Sequence, residues 1–90
     1  MAFPDDEAAG FEADRILAAA IYLMSCHARN RCPRLACMVE RHLELLGRHP
    51  HVGEHVRQTC RQLATAWESV RAHDERAACE RFARPPGAVH

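Results

Sequence analysis

Apolar positions recur every three to four residues through most of the chain and nowhere alternate with period two, so the pattern predicts helices and no strands. Pro at 4, 33, 50, 85 and 86 and Gly at 10, 47, 53 and 87 cut the chain into three long segments. In the first, about 11–29, Ile16, Leu17, Ala20, Ile21, Leu23, Met24, His27 and Ala28 share one broad face at 100° per residue. Asp5, Asp6, Glu7, Glu12 and Asp14 gather toward its positive end and Arg29 lies at its negative one, as the helix dipole prefers. The helix can begin as early as Asp5, with Gly10 inside it costing about 1 kcal/mol relative to Ala.

Asn30-Arg31-Cys32 is the first connection. Pro33 suits the first turn of a helix, where its missing N–H is not needed, and it pushes Cys32 out of helical geometry. The second helix runs over about 33–46, with Leu35, Val39, His42, Leu43 and Leu46 as its stripe, Met38 and Leu45 widening it, and Gly47 expected just past its end. After Arg48-His49-Pro50-His51, a third helix over about 52–72 carries the most regular stripe: Val52, Val56, Thr59, Cys60, Leu63, Ala66, Trp67 and Val70. A weaker stretch, 74–82, either extends that helix or forms a short fourth one. The prediction is all-α: a small antiparallel three-helix bundle forming one domain over 1–82, with a flexible tail at 83–90.

Ninety residues with 48% apolar and 27% charged positions suffice for one small globular domain. No apolar run approaches the ~20 residues of a membrane span, so no membrane partner is expected. The acidic start, Met-Ala-Phe-Pro-Asp-Asp-Glu, lacks the basic and apolar regions of a signal peptide, which makes the cytoplasm the expected compartment. Five Cys, an odd number, are read as reduced thiols. All twelve basic side chains are Arg and none is Lys, and Ala occurs sixteen times, a usage associated with GC-rich, typically bacterial genomes.

Net charge is zero, but it is segregated: residues 1–14 carry −5, and 29–61 carry seven Arg against Glu40, Glu44 and Glu54. An Arg-rich turn at Arg29, Arg31 and Arg34 could touch phosphates. The second helix, however, offers no Asn, Gln, Ser or Thr to read bases, and aromatics do not interleave with the Arg. A nucleic-acid-binding regulator therefore ranks third among the functional readings.

Cys26, His27, Cys32, Cys37 and His42 crowd the first helix–turn–helix, and thiolates and imidazoles are natural ligands for zinc or an iron–sulfur cluster. Five residues separate Cys26 from Cys32 and four separate Cys32 from Cys37, so no two of these thiols share the one tight knuckle of strong zinc patterns. Farther on, His51-Val52-Gly53-Glu54-His55 resembles, over five residues, the His-x-x-Glu-His order of the inverted zinc metallopeptidases. That resemblance would make His51 and His55 zinc ligands and Glu54 a general base; it requires a firm helix across Gly53 and a third ligand. Cys26, His27, Cys32, Cys37, His51 and His55 are thus the candidate metal ligands, and a metal-binding or metal-responsive helical protein is the second reading.

No Ser/His/Asp order, phosphate loop or paired acid–base carboxylates stand out, so no catalytic residue, enzymatic activity or cofactor is expected. The leading reading is a small interaction or adaptor protein, paired with itself or with a larger protein. The apolar arc of the second helix exceeds what two neighbours should cover, which makes Met38 and Leu45, with Arg41 between them, the expected interface.

Overall fold

The computed structural model describes residues 4–83, and it is an all-α three-helix bundle: α1 (Pro4–Arg29), α2 (Pro33–Arg48) and α3 (Glu54–Ala83). Among the described residues there is no strand. Cys32 caps α2 in extended geometry (φ −152°, ψ 130°), as the following Pro33 demands, and Ala36 N–H closes the first turn on Cys32 O at 3.0 Å.

Two boundaries differ from the sequence expectation, and a third, left open there, takes one of its two alternatives. Gly47 lies inside α2, which continues to Arg48 and is capped by His49 N–H on Leu46 O at 3.3 Å. Gly is placed there by packing: a Cβ at 47 would fall 2.8 Å from Arg61 Cγ on α3. Val52 and Gly53 precede α3 rather than open it. Residues 74–82 are an uninterrupted continuation of α3, because nothing between Ala72 and Ala83 breaks a helix, so there is no fourth segment. Of the tail expected at 83–90, Ala83 closes α3 and the rest lies outside the described residues.

The central helix is α2, antiparallel to both neighbours, and its Val39, Leu43 and Leu46 are the largest fully buried side chains. Ala20 and Leu23 from α1 and Cys60 from α3 complete the buried cluster, with Ile16, Leu17, Met24, Leu35 and Trp67 half-buried around it. Polar ties lock α3 onto α2. Arg61 Nε donates to Gly47 O at 2.8 Å, and Arg71 joins Glu40 at 2.6 Å and Glu75 at 3.1 Å.

Helices α1 and α3 run parallel on the same side of α2 with their backbones apart: no Cα of one comes within 8 Å of a Cα of the other, and only side chains bridge them. Both are longer than α2, and they overrun it at opposite ends. The radius of gyration, 17.2 Å, accordingly exceeds the ~12 Å of a compact 90-residue domain.

Candidate protein-interaction groove

Because α1 and α3 both pack on α2 and meet each other only through side chains near one end, an open groove runs between them. Its volume is about 430 Å³. Leu17, Ile21 and Met24 of α1 form one wall, and Val56, Thr59 and Leu63 of α3 the other. Ala20, Leu43 and Cys60 make the floor, and His55 stands at one end. No Arg, Asp or Glu lines it. Thirteen consecutive residues of α1, 16–28, carry no Arg, Asp or Glu, and the α3 positions that face the groove are equally uncharged. The rim is wet: Ile21 is 60% exposed, and Val56 and Leu63 are also exposed. Burial raises the Cys60 thiol above its ordinary pKa, so this floor residue acts as a small hydrophobe.

Side chains hold the two walls together at one end. Asp74 on α3 is buried, and it accepts from His27 Nε2 at 2.6 Å and from Arg31 Nε at 3.1 Å. A carboxylate oxygen only accepts, so the His27 proton sits on Nε2. Burial alone would lift the Asp74 pKa. The His27 hydrogen bond and the Arg31 charge outweigh it and hold the carboxyl below its usual value. His27 also meets Trp67 edge to face, with ring centroids 4.9 Å apart. One residue of α3 thereby fastens the last turn of α1 and the α1–α2 connection.

The α2 residues expected at an interface lie on the opposite side of the molecule. Met38 and Leu45 are 39% and 45% exposed, as the width of the apolar arc implies, and Arg41 between them is exposed. They form one stripe with Arg34 and Arg48, directly opposite Leu43, so each apolar residue there is flanked by guanidinium groups. The groove, unlike this stripe, is lined by no Arg, Asp or Glu.

The metal candidates are scattered. His27 is committed to Asp74, while Cys26, Cys32 and Cys37 are half-buried on separate turns. His51 and His55 are not one helical turn apart, because α3 begins only at Glu54; the His51 N–H instead bonds His49 Nδ1 at 3.2 Å in the connection. That removes the helical spacing on which the metallopeptidase resemblance depends. Among the described residues, no three His, Cys, Asp or Glu side chains are grouped to hold a metal ion. No described helix is long and apolar enough to cross a membrane.

Comparison with protein-family models, curated proteins and solved structures yields no match for this chain. Asp74 is the site residue that sequence reasoning passed over. Nothing in the local sequence sets it apart from the neighbouring Glu75.

Proposed function

We propose that this protein is an interaction module that binds another helical surface in the groove between α1 and α3, and that it is not an enzyme. The observation that carries the reading is a continuous uncharged apolar groove left open on so small a scaffold. Contiguous exposed apolar surface of this kind marks interaction sites. A groove between two parallel helices, floored by a third, also has the shape that accepts the apolar ridge of an amphipathic helix. Among the described residues, the buried pairing suited to acid–base chemistry, His27 with Asp74, is closed between helices. Its carboxylate is already engaged by Arg31, which favours a fastening role.

The test is a photo-crosslinking residue placed at 21 or at 45 in the cells that make the protein. Covalent adducts from 21 and not from 45, mapped to an apolar helical surface and abolished by Leu63→Glu in a still-helical chain, are expected. Adducts from 45 alone would move the interface to the α2 stripe and defeat the proposal.

A further inference from the structure

Every exposed position around the middle of α1 is apolar or small. Ile21 and Tyr22 are 60% and 65% exposed, with exposed Ala18 and Ser25 on either side. Charge returns symmetrically. Asp14 lies seven residues before Ile21 and Arg29 seven residues after Tyr22, two helical turns in each direction and on the same face. Both are exposed. The Arg29 guanidinium rests on Cys26 Sγ at 3.6 Å, a weak acceptor that a carboxylate displaces.

We propose that a second copy of this chain packs its own α1 against the exposed outer face of α1 that borders the groove, a contact that rests on the interaction reading above only through Ile21, the residue the two surfaces share. The two copies form an antiparallel pair whose two-fold axis crosses α1 between Ile21 and Tyr22. In that register Ile21 meets the partner's Tyr22, and Ala18 meets the partner's Ser25, where two small side chains let the backbones approach. Asp14 meets the partner's Arg29 at both ends of the contact. A two-fold interface is self-complementary, so a helix carrying a carboxylate and a guanidinium equidistant from an apolar centre satisfies both its charges on its own copy. The parallel alternative would set Asp14 against Asp14 and Arg29 against Arg29.

The pairing encloses no charge at its centre: between Asp14 and Arg29 the exposed positions of this face, Ala18, Ile21, Tyr22 and Ser25, are all uncharged.

Sedimentation equilibrium on the full chain decides the question. At about 50 μM, above the dissociation constants of weak standard-size interfaces, the wild type is expected at twice the monomer mass and Ile21→Glu at the monomer mass with its helicity kept. Asp14→Arg and Arg29→Asp should each weaken the dimer roughly tenfold or more, since each replaces two attractions by two like-charge contacts. The double exchange Asp14→Arg/Arg29→Asp should restore it. A monomeric wild type overturns the proposal, and so does a dimer that the single exchanges leave unchanged or that the double exchange fails to rescue. The crosslinker at 21 separates this failure from failure of the interaction reading: a monomer that gives adducts with a different protein leaves the groove a docking site, whereas no adduct of any kind removes both.

Discussion

Asp74→Asn should loosen the chain at the point where α1 and α3 are tied. The substitution keeps the size of the side chain, removes its charge, and leaves His27, itself buried, facing a weaker acceptor. Arg31, 3.1 Å from the other oxygen, loses its counter-charge but keeps contact with water. Weakening the partner of a buried polar group costs about 1–3 kcal/mol, and the upper part of that range applies when the bond is charge-assisted, as both bonds to Asp74 are. For a chain of this length, 1 kcal/mol moves the thermal midpoint by about 4–8 °C.

The same geometry fixes the pH dependence. The Asp74 carboxyl is held below its ordinary value in the folded chain, whereas unfolded it titrates near 3.9. Near and below the unfolded value, the unfolded chain therefore binds the proton more readily. The stabilisation from Asp74 is complete above about pH 5 and fades as the pH falls through the folded value. Urea unfolding followed by helical circular dichroism, wild type against Asp74→Asn, should show a gap in midpoint that is full at pH 5.5 and narrows toward pH 3. Equal stability at pH 5.5, or a gap that stays constant into acid, would refute the role given to this carboxylate.

Gly47→Ala should destabilise despite a helix-propensity gain of up to ~1 kcal/mol, because its Cβ would press on Arg61 Cγ at 2.8 Å; Gly10→Ala, with nothing within 4 Å, should stabilise, and urea midpoints of the two variants moving the same way would contradict this packing. Leu46→Ala should cost about 2–5 kcal/mol and Met38→Ala no more than about 0.5 kcal/mol, since the first side chain is wholly enclosed and the second is 39% exposed. Mass-spectrometric mapping of thiol labelling should find Cys79 first and Cys26, Cys32 and Cys37 more slowly, with Cys60 only in denaturant; early labelling of Cys60 would mean that the groove floor opens.

Local signals placed the helices well wherever backbone chemistry alone decides. Pro33 set the start of α2, and the spacing of Val39, Leu43 and Leu46 identified the buried face of the central helix. The errors fall where a partner far along the chain decides. Gly47 carries the usual mark of a helix end, yet its place inside α2 follows from the approach of Arg61, fourteen residues on. Asp74 pairs with His27 across forty-seven residues, and no local pattern distinguishes a carboxylate that will be buried from one that stays in water.

The groove escaped notice for a different reason. A periodic apolar stripe shows that a face would gain by being covered, and the stripe does not say by what. The stripes of α1 and α3 are longer than that of α2, and sequence reasoning assigned all three to a shared core. With α2 in the middle, its one strongly apolar face meets both neighbours and is fully enclosed, while α1 and α3 each spend only part of theirs on it. On α1, Ala20, Leu23 and His27 are buried but Ile21 and Ala28 are exposed; on α3, Cys60 is buried but Val56, Thr59, Leu63 and Ala66 are exposed. The unmet demand for cover therefore sits on the two outer helices. It faces one direction, and it is bounded on α1 by Asp14 and Arg29. A surplus shared by two helices and free of charge along its length is what another helix would need to find there. That is why the interface is argued from the groove and not from the guanidinium-flanked Met38 and Leu45 of α2.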